Sequence, residues 1–491
     1  MRCKWTFAPI LASLLAPPAG VLAQTIEALN PAPNVPPTTL AIQADGKLIL
    51  AGTFATISGT PTANVVRLNA NGSLDQTFAS PAVNGEVKTV AVQPDGRLLI
   101  GGDFTAVGTT TRHYLARLQA NGALDTGFAD PNLNATVWAL VVQPDGKVLA
   151  GGEFTKANSN TRTWVARYSN AGAFDGTFAD TKLCCGGESV RALGLQADGS
   201  VLVGGFFSQY GSGAPPNYRF YLARYSSSGV FDNAFPDDQP GSGITDLVVA
   251  PDGSILVGNG FLTSNNMYTR PLAKLTSTGT LVSSFGDLQN DGGTHALVLQ
   301  PNGKIVIGGT FQSIGGQPRH ALARLNADGS LDAAFGDLHF SFNAGDPNGY
   351  IYGIAAQADG KVAAIGNFSL ANNQSRQYMA RVATNDAVSS ELTGQASGSN
   401  VVVAWMRTGD GPELAHAPTL LHSSDGATFT TVGTMTRITN GWQLAAPFNV
   451  AGTPFYLKAT AYTSEGAGNG SLGRIDSPVY VSDRIFADGF E

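Results

Sequence analysis

The side chains able to do chemistry are few and scattered. Six histidines, His113, His295, His320, His339, His416 and His422, form no HExxH or other short ligand spacing, so the pattern of a zinc hydrolase is missing. No Gly-x-Ser-x-Gly elbow, phosphate-binding loop or dinucleotide fingerprint stands at a strand-to-helix turn. Asp-Gly pairs sit at hairpin corners rather than in Asp-x-Asp-x-Asp-Gly calcium loops. No cofactor or metal is expected, and unique carboxylates such as Glu188 and Asp346 have no evident partner for acid–base work.

A different set recurs. Loops reading TRH, TRT, YRF, TRP, PRH and SRQ place Arg112, Arg162, Arg219, Arg270, Arg319 and Arg376 at equivalent positions. Gathered on one face, these guanidinium groups would form a basic ring that attracts an acidic ligand. The alternative is that each bonds carbonyls or a carboxylate of its own or the adjacent unit, since features repeated across a fold usually serve the fold. Where the units disagree, longer segments appear: TKLCCGGES, SQYGSGAPPNYRFY, LTSNNMYTRP and DLHFSFNAGDPNGY. Their Tyr, Phe, Asn and Gly content suits contact with carbohydrate or protein, with Tyr210, Tyr221 and Tyr350 as candidates. Cys184 and Cys185 could close a strained vicinal disulfide or remain thiols; neighbours in sequence, they cannot staple a fold.

The elements that position these residues follow from a repeat. Gly46, Gly96, Gly146, Gly199, Gly253, Gly303 and Gly360 mark the same turn in seven units of roughly 50 residues. Each unit carries four short runs rich in Val, Leu, Ile and aromatics, as in VKTVAVQ, RLLIGGDF, YLARLQ and ALDTGF, and these read as strands. In Gln-Pro-Asp-Gly-Arg the glycine takes the left-handed position of a three-residue hairpin loop, which sets Gln93 opposite Arg97. The same loop length sets Leu68 opposite Leu74 and Arg67 opposite Asp75. Comparison between units supports that register: Leu68 is replaced by Tyr168 or Tyr225 where Leu74 is replaced by Phe174 or Phe231, and by Val382 where the partner is Val388. Arg117, Arg167, Arg224 and Arg324 likewise face Asp125, Asp175, Asp232 and Asp332, whereas Lys274 faces Val282. The glycines of Gly-Gly-Asp-Phe suit close packing near an axis.

Four antiparallel strands in each of seven units predict an all-β chain, a seven-bladed β-propeller followed by a small β-sandwich. A β-solenoid fits less well, because its coils usually repeat at shorter periods. The last blade could be completed by a strand through Ile26 and Glu27 or by Ala387 to Leu392, with a slight preference for the former. The unit, visible as QPNGKIVIGGTF and HALARLNADGSLDAAF, resembles the delta-60 repeat family of bacterial exported proteins. The resemblance implies a propeller and export, and no defined activity. The fifth copy, with APDGS and GNGF, departs most from the pattern.

The expected domains are a secretory signal at 1–23, the propeller at 24–392, a fibronectin type III-like sandwich at 393–481 and a tail at 482–491. Arg2 and Lys4 before an apolar run, with small residues up to Ala23, carry the signal reading, and no later run is apolar enough to span a bilayer. The second domain has no cysteine pair; Trp405, Trp442, Phe455, Leu457 and Tyr462 are its expected core. The ending VYVSDRIFADGFE is similar to short tails on exported proteins of some Gram-negative bacteria, where it implies sorting. A net charge of −7 disfavours nucleic acid and anionic membrane as partners. The expectation is a bacterial protein, secreted, periplasmic or on the cell surface, monomeric, non-catalytic, and binding polysaccharide or a surface protein. A polysaccharide-acting propeller hydrolase or lyase and a structural surface component are the alternatives.

Overall fold

Apolar runs of four to six residues between Gly, Asn and Asp corners are too short to be helices and fold as antiparallel hairpins. A computed structural model of the chain describes residues 24–210, 218–236, 241–259, 270–286, 288–343, 345–346, 348–384, 386–397, 400–446, 455–465 and 471–481. The expected leader and the tail lie outside the described residues. Among the described residues every regular element is a β-strand, and no helix is long and apolar enough to cross a membrane.

Seven sheets follow one another along the chain, six with three strands and the last with four. Their first strands are Thr39–Ile42, Val87–Val92, Val137–Val142, Cys184–Leu195, Asp246–Val249, Thr294–Leu299 and Tyr350–Ala356. Each first strand packs beside that of the next sheet, and that of the seventh packs beside that of the first, so these strands encircle an axis. Buried aliphatic clusters fill the space between neighbouring sheets. The turn between first and second strands is the expected one: Gln93 N donates to Arg97 O at 2.8 Å and Gly96 N to Gln93 O at 2.9 Å. Gly96 has φ of 82°, and the six equivalent glycines lie between 79° and 87°.

The expected fourth strand is a correction. After the third strand the chain makes one bridge, as Leu68 to Leu74, Leu118 to Leu124, Tyr168 to Phe174 and Tyr225 to Phe231, and then turns away. The aspartate after the bridge ends the pairing. Its carboxylate accepts a backbone N–H two residues on, as from Gly127 to Asp125 at 3.0 Å, and the next phenylalanine, Phe128, drops into the core. The same carboxylate takes the predicted arginine: Arg67 to Asp75 at 2.8 Å, Arg117 to Asp125 and Arg324 to Asp332 at 2.7 Å. In the first four units the arginine also bonds the next unit. Nη1 of Arg67 reaches Ala120 O at 2.7 Å, that of Arg167 reaches Ser227 O at 2.6 Å, and that of Arg224 reaches Ser277 O at 2.9 Å.

The seventh sheet is completed by the N-terminal strand Thr25–Ile26, with Ile26 opposite Val382. Val382 therefore pairs with Ile26 rather than with Val388. Glu27 follows in register and binds Arg381 at 2.5 Å, standing where the other units have aspartate. Nη1 of Arg381 bonds Ala70 O of the first unit, so the inter-unit contact continues from last to first.

Residues beyond 388 form two further sheets, one of four strands and one of five, the fifth being Tyr480–Val481 paired with Tyr456–Glu465. They enclose one core containing Trp405, Trp442, Leu420, Phe455, Leu457 and Ala461. This unit packs on the Pro-Asp-Gly-turn end of the seven-sheet ring. Gln300 Nε2 donates to Asp410 O at 2.7 Å, Glu413 N donates to Leu299 O at 3.1 Å, and Tyr462 packs against the buried cluster that contains Val142 and Val148.

Candidate functional site

At the opposite end of the first strands the repeat stops repeating. In five sheets the register slips by one residue, between Val87 and Thr89, Val137 and Ala139, Val190 and Ala192, Thr294 and Ala296, and Ile351 and Gly353. The skipped residues are Lys88, Trp138, Arg191, His295 and Tyr352. A bulge re-aims one side chain out of the alternating pattern, and here it does so at one level of adjacent strands. The second glycine of each Gly-Gly pair makes room for it. A Cβ on Gly102, Gly152, Gly205 or Gly309, or on Gly366 where the seventh unit has Ile-Gly, would lie 1.9–2.2 Å from the carbonyl oxygen of the residue two places before the skipped one. The first glycine serves packing between sheets, since a Cβ on Gly101 would meet Val137 Cγ1 at 2.6 Å.

The re-aimed residues touch one another across strands. The Lys88 ammonium lies 4.6 Å and the Arg191 guanidinium carbon 3.5 Å from the centre of the Trp138 ring. Carboxylates hold all three. Lys88 Nζ is 2.5 Å from Glu86 Oε2 and 3.7 Å from Asp103 Oδ2. Trp138 Nε1 donates to Glu153 Oε1 at 2.8 Å, and Arg191 Nη2 lies 3.4 Å from the same oxygen. Thr38 Oγ1 donates to Glu86 Oε1 at 2.7 Å, and the Thr136 hydroxyl donates to Asp103. Further round, burial pushes the His295 imidazole below its ordinary pKa and so keeps it neutral. Burial, with Tyr350 nearby, pushes the Tyr352 phenol up, so it stays a hydroxyl although the residue is 40% exposed. Phe206, 37% exposed, borders Arg191. The result is a cluster of planar rings, cations and carboxylates in which Glu86, Asp103 and Glu153 are each bonded to a cation or a donor of the same cluster.

The loop arginines lie elsewhere. Arg112, Arg270 and Arg319 are buried. Arg112 Nη1 donates to Thr111 O at 2.9 Å, Arg319 Nη1 to Pro318 O at 2.7 Å and Arg270 Nη1 to Phe285 O at 3.2 Å. Arg162 stacks on Phe174 at 4.6 Å, and Arg376 Nε donates to Glu27 O at 2.9 Å. These guanidinium groups are thus engaged by their own unit or the N-terminal strand. Arg219 and Tyr210 pair through the backbone with Gln209 and Tyr218, and their side chains lie outside the described residues, as do those of Cys184 and Cys185. Tyr221 has φ of 65°, a conformation shared with Tyr114, Trp164, Ala321 and Tyr378, and packs on the core. Tyr350 opens its strand opposite Asn367 and stands beside Tyr352 of the re-aimed set.

Sequence reasoning missed the bulged residues. Their signal was present as the one position, between a β-branched residue and Thr, Ala or Gly, that reads Lys, Trp, Arg, His and Tyr in different units.

Segments 43–78, 93–128, 143–178, 196–235, 300–335 and 357–388 match the family model of a β-propeller domain of unknown function, DUF5122. The matches skip the fifth unit. No curated protein matches the chain. Similar solved structures are remote. A gluconolactonase from Xanthomonas campestris is 17% identical with a TM-score of 0.34, over 58% of this chain and 86% of its own. The extracellular region of plexin A4 is 11% identical with a TM-score of 0.29, over 94% and 67%. A glycoside hydrolase is 12% identical with a TM-score of 0.28, over 92% and 100%. Likenesses at this level carry no argument about activity. The family matches do bear on the fold: over these six segments the chain is similar to the repeats of a β-propeller repeat family.

Proposed function

We propose that the protein is an exported, non-catalytic binding protein: a seven-bladed propeller of delta-60 type that presents its bulged end to a carbohydrate ligand. The fibronectin type III-like β-sandwich after it acts as a spacer on the other end. One observation carries this reading: five strands of a repeat array share a bulge at one level and use it to display five different side chains. A scaffold role would favour one residue type in all five. Tyr352 and Phe206 supply ring faces, Trp138 holds Lys88 and Arg191 by stacking, and these two cations with three carboxylates supply the directed donors and acceptors a sugar needs. The loop arginines act as struts in this reading.

A polysaccharide-acting hydrolase or lyase is the second reading, favoured by Glu86, Asp103 and Glu153 standing at one site. Each of them already bonds a cation or a donor of this chain, Glu86 with Lys88 and Thr38, Asp103 with Thr136 and Glu153 with Trp138, whereas a general acid needs its carboxyl directed at the leaving group. Glycan-array binding by purified protein, lost tenfold or more in Trp138→Ala and Arg191→Ala variants that keep the parent melting curve, is the expected result. Release of reducing or unsaturated ends from a polysaccharide panel, abolished by Glu86→Gln or Glu153→Gln, would replace it with the enzyme. Binding unaffected by either substitution would move the site to other loops.

A further inference from the structure

His320, Asp337 and His339 are distant or oddly spaced in sequence, yet their donor atoms lie within 4.8 Å of one another. The geometry points to a site for a divalent transition ion of the zinc class, bound by these three side chains where the sixth unit meets the seventh.

The carboxylate is oriented for it. Asp337 Oδ1 accepts the backbone N–H of His320 at 2.9 Å and that of His339 at 3.1 Å, which fixes the group and turns Oδ2 toward the two rings. Nδ1 of His320 is 2.5 Å and Nδ1 of His339 is 3.9 Å from that oxygen. Ligands bonded to one tetrahedral zinc at about 2.0–2.1 Å lie about 3.3 Å apart, so these distances bracket what an ion needs and small ring rotations close the difference. The ring centres are 4.2 Å apart at 62°, edge to face. Two imidazoles and one carboxylate suit zinc, nickel or copper better than magnesium or calcium, and leave a fourth position for water. Coordination through Nδ1 of His320 requires the tautomer whose proton is on Nε2.

The repeats provide an internal comparison. In the second and third units Asp130 and Asp180 accept the backbone N–H of His113 and Thr163 at 2.9 Å and 2.8 Å, so the aspartate itself is a structural cap. The residue two places on is Asn132 in one and Lys182 in the other, both in the same left-handed conformation as His339. Only the sixth of these three units places histidine at both positions. His339 immediately precedes Phe340–Ser341, which pairs with Leu370–Ala371 of the seventh unit. An ion here would clamp the segment leading into the longest insertion, and Tyr350, against the sixth unit.

Untagged full-length protein titrated with zinc sulfate at pH 7.5 should bind one ion by calorimetry. The melting temperature should rise by about 2–5 °C at saturating zinc, and cobalt should give the visible absorption of a four-coordinate site. His339→Asn, copied from the second unit so that folding is preserved, and Asp337→Asn should each weaken zinc binding at least tenfold; His113→Ala should leave it unchanged. Zinc binding equal in the parent and in a His320→Ala, His339→Asn double variant with a parent-like melting curve would overturn the site. So would the absence of any heat or melting shift at millimolar zinc.

Discussion

Arg324 Nη1 lies 2.8 Å from Asp410 Oδ2, with the two side chains 1% and 0% exposed. In the first, third and fourth units the equivalent arginine nitrogen bonds a turn carbonyl of the following unit. At the sixth unit the acceptor comes instead from the C-terminal two-sheet unit, which also takes Asn302 Nδ2 at 3.2 Å. The repeat array is therefore joined to the domain after it by the same arginine that elsewhere joins one repeat to the next.

Replacing Asp410 with alanine leaves a buried guanidinium with one carboxylate partner fewer, and breaking a buried pair in this way costs about 3–5 kcal/mol. Guanidinium chloride unfolding should show that loss, and limited proteolysis should begin to cut near residue 385. A stability change below about 1 kcal/mol would show that the two units are held by their other contacts alone.

Stability should fall steeply in acid. Asp75 is held well below the usual carboxylate range by the Thr77 hydroxyl, with Lys47 and Arg67 adding to it. Burial raises Asp125, Asp175, Asp232 and Asp332, but arginine and turn hydrogen bonds outweigh it and each is lowered. With folded pKa values below the unfolded value of about 3.9, the unfolded chain binds more protons in between. The contribution is complete above pH ~5 and is lost as pH falls through the folded values. Urea midpoints measured from pH 7 to pH 3 should be level in the upper part of that range and drop below pH ~4. The drop should be smaller in a variant lacking one of these aspartates.

The bulge and the glycine opposite it should fail together. A methyl at Gly152 would meet Thr136 O at 2.0 Å, and Thr136 is two residues before Trp138. Gly152→Ala should cost about 1–3 kcal/mol by overpacking and also displace Trp138 from between its charged neighbours, shifting its fluorescence. The same change at Gly46, where a Cβ would find Ala70 Cβ no nearer than 3.7 Å, should cost only the strain of a left-handed alanine and leave the tryptophan spectrum alone.

Much of the repeat was legible because its rules are local. Gly96 requires a turn, the turn length fixes the Leu68 to Leu74 register, and register sets Arg67 opposite Asp75. What was not legible depends on geometry around the ring. Arg67 and Ala120 are neighbours only once adjacent sheets pack, and Glu27 stands in for an aspartate only because the last sheet closes on the first residues. The bulges were hidden for a related reason: an unchanged strand pattern of Val, Thr and Leu contains them, and the slip that re-aims Lys88 or Trp138 is produced by backbone approach to a glycine on the neighbouring strand. Spacing rules for metal ligands assume one helix or loop, so His320 and His339, brought together across a hairpin, fell outside them.

The fifth unit supplies the converse of the Arg324 contact. Lys274 stands in place of arginine and Val282 in place of aspartate, Lys274 Nζ lies 3.8 Å from Asp252, and a cavity of about 220 Å³ opens beside Phe285 and Ala327, rimmed by Glu413 and Arg437. In five other units the arginine covers the matching phenylalanine, as Arg224 does Phe235 at 4.8 Å and Arg324 does Phe335 at 5.1 Å. Restoring both residues, Lys274→Arg with Val282→Asp, should fill part of the cavity, bond Ala327 O and stabilise the protein by about 1–2 kcal/mol. Val282→Asp alone should destabilise, because Lys274 is too short to cover the phenylalanine and bind the new carboxylate together. A double-mutant cycle by chemical denaturation measures the coupling directly. Additive single changes would mean that the fifth unit has relaxed around its own residues and no longer has room for the arginine.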